Sequence, residues 1–348
     1  MARGAPRPTG EAFDALPVAV DAMGGDKAPG EIVAGARQVA EAGRIGVLLV
    51  GLEGRMGDTG ALPLLHCTEV IGMDDDPGSG VRRKKDSSLV RAAEAVRDGR
   101  AMAMVSAGNT GATMASALLR MGRLPGVIRP AIATPIPDLK KDHPSVLVDA
   151  GANAEASAAM LLQFAQMGAA YSAERYGVDR PRVALLSIGE EKSKGTPVVK
   201  EAHALLAEGG HGDFEFVGNV EGRDFFDDQA DVIVTDGFTG NVALKTLEGT
   251  LRFLIDALTE IFSKPEVAEA AGVLLPHLVP LATTFDPENT GGAMLLGVDG
   301  VCVISHGSST SVAMVNAITV AHDVAVGGLV GAVAASVRPP VDGDAATG

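Results

Sequence analysis

Eight short apolar stretches rich in β-branched residues recur along the chain. They predict strands at Val18–Val20, Val47–Val50, Met102–Val105, Val146–Val148, Val183–Leu186, Phe214–Val217, Val232–Val234 and Val301–Ile304. The stretches are continuously apolar rather than alternating, which is typical of strands covered on both faces. Segments between many of them have helical character, at Glu31–Ala42, Ser88–Asp98, Thr113–Met121, Ala154–Tyr171, Val198–Glu208 and Asn241–Ile261. The alternation predicts an α/β fold with a mostly parallel, doubly wound sheet.

The pattern of strands and helices is absent at both ends of the chain. Residues 1–16 contain arginine and proline but no apolar run, so they are predicted to be a disordered extension rather than a signal peptide. Residues 336–348 are predicted to be a disordered tail. Between them, residues 17–335 are predicted to form one large α/β catalytic unit, because 46% hydrophobic residues in a chain of 348 supply a large core.

A helical hairpin is predicted at about 251–282. Leucine, isoleucine and phenylalanine repeat at helical spacing up to Phe262, and a second apolar stretch follows at 273–281. That stretch is shorter than the ~20 apolar residues that cross a bilayer, and its two prolines are expected to kink a helix. It is either a core or dimer-interface hairpin, or an exposed apolar tip that rests on a membrane or accepts a fatty chain.

Charge and motif content exclude several classes of protein. A formal net charge of −15 argues against general nucleic-acid binding, which needs a basic face. The two cysteines, Cys67 and Cys302, make neither a disulfide framework nor a metal motif, and they are predicted to be buried. The sequence has no Walker A pattern, no G-x-G-x-x-G after a strand, no G-x-S-x-G and no HExxH. Chemistry without a metal or an organic cofactor is therefore predicted.

Four predicted strands run directly into turns of glycine and small polar residues, at 21–26, 106–111, 236–241 and 305–309. In an open α/β sheet such turns meet in a crevice at the carboxyl ends of the strands. Glycine allows backbone N–H groups to approach a ligand, and a helix N-terminus favours an anion. The turns predict a site for a small oxyanion, although any one of them could serve only as a helix cap.

Ten short strings, taken in order, resemble the bacterial phosphate acyltransferase of phospholipid synthesis. They are AVDAMGGD (19–26), RRKK with SS (82–88), SAGNTGA (106–112), RP (129–130), LVDAGAN (147–153), GNVEGRD (218–224), VIVTDGFTGN (232–241), LKTLEG (244–249), GGA (291–293) and HGSS (306–309). The resemblance extends from about Val18 to Val324. Two departures are Lys27, where the family commonly has histidine, and a hairpin with few basic residues.

The resemblance implies transfer of a fatty acyl group from acyl carrier protein to inorganic phosphate, which gives acyl phosphate. It also implies a fold like that of isocitrate and isopropylmalate dehydrogenases, a homodimer, and a downstream glycerol-3-phosphate acyltransferase. The protein would be cytoplasmic and attached peripherally to the inner face of the cell membrane through the hairpin.

Phosphate attack on a thioester needs positioning and hydrogen-bond donors rather than a triad or a metal. The candidate catalytic residues are Lys194, Asn241 and His306. The candidate substrate-binding residues are Asp21, Gly24, Gly25, Asn109, Thr110, Asp149, Asn153, Asp236, Thr239, Gly240, Ser308 and Ser309. For several of these a structural role is an equal alternative: the aspartates could orient loops, and His306 could bond only to backbone.

The basic run Arg82, Arg83, Lys84 and Lys85 is a candidate docking site for acidic acyl carrier protein, or else a solvated or phosphate-binding loop. Three rival functions stay open. They are a phosphate acetyltransferase that uses coenzyme A, a nicotinamide-dependent dehydrogenase of the same fold, and a non-catalytic membrane scaffold for lipid-synthesis enzymes. The dehydrogenase would need a carboxylate cluster for a metal and a dinucleotide site, and the sequence supplies neither.

Overall fold

A computed structural model describes residues 15–337, and within them an eleven-stranded sheet forms the centre of the protein. The strands are β1 Val18–Asp21, β2 Val47–Gly51, β3 Leu64–His66, β4 Ala103–Ser106, β5 Ala131–Ile136, β6 Ser145–Val148, β7 Arg182–Leu186, β8 Glu215–Val220, β9 Val232–Val234, β10 Ala293–Leu296 and β11 Val301–Ile304. The helices are α1 Gly30–Glu41, α2 Pro77–Arg83, α3 Ser88–Arg97, α4 Thr110–Arg120, α5 Ala158–Tyr176, α6 Pro197–Glu208, α7 Gly237–Phe262, α8 Ala268–Thr284, α9 Ser311–Val326 and α10 Leu329–Ser336.

The direction of the strands reverses near the middle of the sheet. The order is β3-β2-β1-β4-β11-β10-β5-β6-β9-β7-β8. Neighbours are parallel except at β11–β10, β10–β5 and β5–β6. As a result β6, β7, β8 and β9 run opposite to β1, β2, β3, β4 and β11.

Both faces of the sheet are covered by apolar side chains, as continuously apolar strands require. One face packs against α1, α5 and α9, with buried Val20, Val148 and Val303 among its strand residues. The other packs against α3 and α4, with Leu147 and Leu295 in its core, and Leu244 and Leu247 of α7 lie against it. Both cysteines are buried as predicted, and burial raises the pKa of the Cys67 thiol to about 11 and that of Cys302 to about 12.

The predicted fold class is confirmed, and all eight predicted strands form. Three strands were missed, namely β3, β5 and β10. The predicted extension and tail lie outside the described residues except for 15–16 and 336–337. Val337 is buried against the core, so the ordered unit reaches at least two residues past the predicted boundary.

The hairpin is longer than predicted, because α7 already begins at Gly237 and α8 ends at Thr284. Only Gly237 and Gly240 of α7 and Ala271 of α8 are buried, so the core interpretation of the hairpin is wrong. Phe253 and Val273 are 73% and 66% exposed. The segment Pro265–Thr284 has a mean hydropathy of 1.3 and reaches 20 residues, so by length and composition alone it could cross a bilayer. Because only residues 273–281 were counted as apolar, the predicted segment was too short to cross a bilayer.

Candidate active site

The turns after β1, β4 and β11 lie together, and we name these residues, 21–26, 106–111 and 305–309, turn cluster A. The Asp26 amide donates to the Gly307 carbonyl at 2.8 Å, which joins the first turn to the third. The Ser106 hydroxyl donates to Asp21 Oδ2 at 2.8 Å, which joins the first turn to the second. This convergence agrees with the prediction from glycine-rich strand ends.

Asp21 is 2% exposed and lies beneath the turn rather than in the solvent. Its carboxylate accepts from Ser106 and from the Met23 amide at 3.2 Å. Burial raises the pKa of Asp21, and hydrogen bonds from Ser88 and Ser106 oppose that effect. Asp21 therefore shapes the Gly24–Gly25 turn from below, which favours the structural alternative.

His306 and Ser308 present polar atoms at the surface of turn cluster A. The Ser308 amide donates to His306 Nδ1 at 3.3 Å, and the Ser308 hydroxyl lies 2.8 Å from the same nitrogen. Because Nδ1 accepts from the amide, the neutral ring carries its proton on Nε2. Ser309 is different, since it is 2% exposed and its hydroxyl donates to the His306 carbonyl at 2.6 Å.

Asn109 caps α4 and ties it to the neighbouring loop. Its Oδ1 accepts from the Ala112 amide at 3.0 Å, and its Nδ2 donates to the Met73 carbonyl at 2.7 Å. Its side chain is therefore occupied. In residues 15–337 the amides of Thr110 and Gly111 meet no protein acceptor, so the start of α4 offers two open N–H groups.

Asp149 organises the loops after β6 and β9, residues 149–153 and 235–241, which we name turn cluster B. This carboxylate is fully buried. Oδ1 accepts from the amides of Ile132, Gly151 and Ala152 at 2.9–3.1 Å. Oδ2 accepts from the backbone and side-chain nitrogens of Asn153, both at 2.8 Å. Asp149 and Asn153 therefore hold the loop in shape, with both Asp149 oxygens and the Asn153 Nδ2 engaged inside the protein.

The first turn of α7 is largely satisfied by the protein itself. Asp236 is its N-cap and accepts from the Thr239 amide and hydroxyl, both at 2.8 Å. The Gly237 amide donates to the Asn153 carbonyl at 2.7 Å, and that of Gly240 donates to the Asp236 carbonyl at 2.9 Å. The amides of Thr239 and Gly240 therefore already have acceptors inside the protein, and substrate binding by the backbone around them stays a prediction.

Lys194 and Asn241 are two candidate residues on this side of the sheet whose polar side chains have no partner among the described residues. Both are exposed, and neither side chain forms a hydrogen bond or ion pair within residues 15–337. Asn241 lies against Gly151 of turn cluster B. Lys194 lies in the loop after β7, residues 187–196, which turns at Gly195 with φ of +93°. We name this segment the Lys194 loop.

Turn clusters A and B leave the sheet at opposite ends of the strand ladder. The prediction that all four turns occupy one edge is wrong, because β6, β7 and β9 run opposite to β1, β4 and β11. The helices that start in the two clusters nevertheless lie on one face of the sheet. Ala112 and Ala117 of α4 and Leu244 of α7 pack against the same apolar cluster.

Only part of the basic run is available to a partner. The Lys84 ammonium is half-buried, donates to the Val70 carbonyl at 2.8 Å and contacts Asp75 Oδ2 at 2.5 Å. That contact lowers the pKa of Asp75. Arg82 and Lys85 are exposed, and Arg83 donates to the Ser79 hydroxyl at 2.9 Å. Lys84 is therefore a structural residue, and the docking prediction is limited to its three neighbours.

The pattern of residues along the chain did not predict roles for Ser106 or for the segment that contains Met73 and Asp75. Ser106 stands in the SAGNTGA string, and its position at the end of a strand was the available signal. Met73 and Asp75 belong to no strand or helix, and local sequence carries no sign that they meet Asn109.

Gly240 provides a direct test of how tightly turn cluster B is packed. A Cβ at this position would lie 1.9 Å from the Asp149 carbonyl oxygen. Gly240→Ala is therefore expected to lower the free energy of unfolding by about 1–3 kcal/mol, as overpacking does, in chemical denaturation. Gly249→Ala on the same helix is the matched control, because its Cβ would meet open space. It should stabilise the protein by about 0.5–1 kcal/mol through helix propensity. Equal effects of the two changes would contradict the close packing of turn cluster B.

The chain matches a known protein family over most of its length. The family model for "Fatty acid synthesis protein" matches residues 16–330. The phosphate acyltransferase of Myxococcus xanthus is 48% identical over 322 residues, covering 89% of this chain and 90% of the relative. The phosphate acyltransferase of Heliobacterium modesticaldum is 46% identical over 315 residues, covering 88% of this chain and 92% of the relative.

Solved structures show the fold that the chain shares. A phosphotransacetylase from Streptococcus pyogenes superposes with a TM-score of 0.61 at 18% identity, covering 89% of this chain and 94% of that one. A branched-chain phosphotransacylase from Enterococcus faecalis V583 superposes with a TM-score of 0.57 at 13% identity, covering 89% of this chain and 99% of that one. The fold is therefore that of the phosphotransacylases. Within that class, the extended sequence identity places the chain in one family, and it belongs to the phosphate acyltransferases of fatty acid and phospholipid synthesis.

Proposed function

We propose that this protein transfers a fatty acyl group from acyl carrier protein to inorganic phosphate, with acyl phosphate as the product. The observation that carries the proposal is the pair of exposed, unpartnered side chains, Lys194 and Asn241, beside turns whose backbone amides are largely held by Asp149 and Asp236. A cation and an amide donor that the fold leaves free fit a substrate that develops negative charge. Membership of the phosphate acyltransferases supports the same reaction.

The proposed reaction balances without an added base or metal. An oxygen of hydrogen phosphate attacks the thioester carbonyl, the new C–O bond forms, and the C–S bond of the tetrahedral intermediate breaks. The proton of hydrogen phosphate ends on the departing sulfur, whose thiol has an ordinary pKa of about 8.5. The protein must position the two reactants and stabilise the oxyanion on the former carbonyl oxygen.

We assign phosphate to turn cluster A and the thioester carbonyl to Lys194 and Asn241. The start of α4 offers the open amides of Thr110 and Gly111, which suit a phosphate at a helix N-terminus. His306, with its proton on Nε2, stands in the same cluster and is placed to donate to phosphate or to the sulfur. Lys194 and Asn241 donate to the carbonyl oxygen as its charge grows.

Sheet twist supports a single cleft between the two clusters. Four steps separate β11 from β9, and a twist of about 20–25° per step rotates these strands by roughly 80–100° relative to each other. The two sets of carboxyl ends still leave opposite edges of the ladder, but the twist sets them at about a right angle to each other instead of back to back. The hairpin also spans the clusters: α7 begins in turn cluster B, and Glu288 after α8 accepts from Thr310 beside turn cluster A at 2.7 Å.

An assay with purified protein, acyl carrier protein thioester and labelled phosphate tests the proposed function. We expect labelled acyl phosphate to accumulate and free carrier-protein thiol to appear in equal amount. The same assay with acetyl coenzyme A separates the acetyltransferase alternative, for which the short acyl group on coenzyme A would be the better substrate. Failure to form product from any thioester would favour the scaffold alternative.

The exposed members of the basic run are the proposed docking site for acyl carrier protein. The double reversal Arg82→Glu with Lys85→Glu is expected to raise the KM for the carrier protein by about tenfold at low salt, since rim charges govern encounter with a charged partner. The effect should shrink as salt screens the charges. The control is Arg180→Glu with Lys200→Glu, two exposed basic residues elsewhere that change the net charge equally. An unchanged KM for the carrier protein together with weaker phosphate binding would assign the run to phosphate instead.

The hairpin is the proposed contact with the membrane surface. Its exposed apolar side chains on both helices, together with its few basic residues, favour binding through apolar burial. Phe253→Glu is expected to weaken binding to phospholipid vesicles about tenfold or more, because burial of one such side chain is worth about 1.5–3 kcal/mol. Val326→Glu, an exposed apolar position outside the hairpin, is the control and should bind like the unchanged protein. Equal losses for both variants in vesicle co-sedimentation would argue against a specific role of the hairpin.

The homodimer, the cytoplasmic location and the downstream glycerol-3-phosphate acyltransferase stay predictions of the family resemblance.

A further inference from the structure

Asn219 lies in the GNVEGRD string, which none of the roles above explains. It is on β8, pairs with Leu185 of β7, and is only 6% exposed. The two strands are parallel, so Asn219 lies near their carboxyl ends, directly below the Lys194 loop. A carboxamide at a buried strand position is uncommon and needs hydrogen-bond partners.

The Asn219 side chain holds the backbone of the Lys194 loop. Its Nδ2 donates to the Glu191 carbonyl at 3.1 Å and reaches the Gly189 carbonyl at 3.5 Å. The Lys194 amide donates to that same Glu191 carbonyl at 2.9 Å. Asn219 and the backbone of Lys194 therefore share one acceptor.

The Lys194 side chain also rests on the segment that Asn219 holds. A Cβ at Gly189 would lie 2.7 Å from Lys194 Cγ and 3.2 Å from its Cδ, so the stem of the lysine lies directly over Gly189. Both the backbone and the stem of Lys194 thus depend on carbonyl groups that Asn219 holds in place.

The other half of the carboxamide is left unsatisfied. Asn219 Oδ1 is buried and has no hydrogen-bond partner among the described residues. Exchanging its oxygen and nitrogen does not help, because the oxygen would then face two carbonyl oxygens. Leaving a buried acceptor unpaired destabilises a protein, so this arrangement is not one that stability alone would favour.

We propose that Asn219 is a positioning residue for Lys194: it fixes the loop so that the ammonium group faces the cleft. The inference rests on the proposed role of Lys194 in the reaction. Asn219 itself touches no substrate, so its effect on the reaction passes through the lysine.

A double-mutant cycle with Lys194→Ala tests the proposal on the full-length protein. Asn219→Leu removes the donor at similar size, and Asn219→Ser is a second variant in case the first does not fold. Either is expected to lower kcat about tenfold, within the range of couplings between neighbouring residues. The KM for acyl carrier protein should stay unchanged. In the Lys194→Ala background the same change should lower kcat by less than about twofold, since the lysine through which it acts is gone.

Hydrogen exchange provides a measurement that does not depend on the reaction. Both Asn219 variants should speed exchange of the backbone amide of Lys194, because the loop segment that carries its acceptor, the Glu191 carbonyl, loses its anchor to β8. Asn316→Leu is the matched control, since the Asn316 Nδ2 also donates to a backbone carbonyl, that of Glu288, at 2.9 Å. It should leave exchange at Lys194 unchanged.

The outcomes separate the two proposals. If Lys194→Ala keeps full activity, the proposed function of the lysine fails, whatever Asn219 does to the loop. Suppose instead that Lys194→Ala loses activity while the Asn219 variants keep the kcat of the unchanged protein and the slow hydrogen exchange of its Lys194 amide. The positioning role is then overturned. An equal loss of kcat from Asn219→Leu with and without Lys194 would overturn it as well.

Discussion

Replacing Lys194 by alanine is expected to lower kcat by about two to three orders of magnitude, the loss typical for one oxyanion donor. The reason is that Lys194 is an exposed cation without a protein partner, so its charge is available to the carbonyl oxygen. The measurement is the initial rate of acyl phosphate formation at saturating thioester and phosphate. Asn241→Ala should also lower kcat, by a smaller factor, since it removes a neutral donor.

The folding of the Lys194 variant is expected to be unaffected, and this separates chemistry from structure. A solvent-exposed side chain with no partner contributes little to stability. Lys192→Ala is the matched control, because Lys192 is an exposed lysine in the same loop. Equal rates for Lys194→Ala and Lys192→Ala would contradict the role of Lys194.

Replacing Asp149 by alanine is expected to have the largest effect on stability, lowering the free energy of unfolding by about 3–5 kcal/mol. Its carboxylate accepts from the nitrogens of Ile132, Gly151, Ala152 and Asn153. Each buried donor left unpaired costs about 1–3 kcal/mol, and partial solvation of the opened loop limits the sum. Chemical denaturation measures the change.

Asp236→Ala is the comparison for Asp149→Ala. Asp236 is half-buried and caps one helix, so its loss should lower the free energy of unfolding by about 1 kcal/mol. Asp149→Asn should also destabilise, because its amide group would face backbone donors. A similar small effect for both alanine variants would show that Asp149 is not the centre of turn cluster B.

The sequence predicted the strands of the parallel halves except β3, because most of them are continuous apolar runs covered on both faces. It missed β5 and β10, and these two strands reverse the direction of the sheet. Pro135 inside β5 argued against a strand, and the four residues of β10 lie between glycine-containing turns. Strand direction is not encoded in a local pattern, and for that reason turn clusters A and B were assigned to one edge.

The chemistry of the site was predictable by residue type and only in part by role. Asp149, Asn153 and Asp236 stand where polar residues at strand ends were expected, yet the fold uses their side chains for its own hydrogen bonds. Lys84 is not available to a partner, because its ammonium group contacts Asp75, nine positions earlier in the chain. Which polar groups stay free depends on tertiary contacts. The role of Asn219 was missed for the same reason, because its partners lie 30 and 28 positions away along the chain.

A crystal structure of the protein with bound phosphate tests the central claim most directly. Phosphate is predicted to bind in the proposed cleft between the two turn clusters, within hydrogen-bond distance of the Thr110 and Gly111 amides. A cleft that stays empty at phosphate concentrations that saturate the enzyme, or phosphate bound at the basic run instead, would contradict the account.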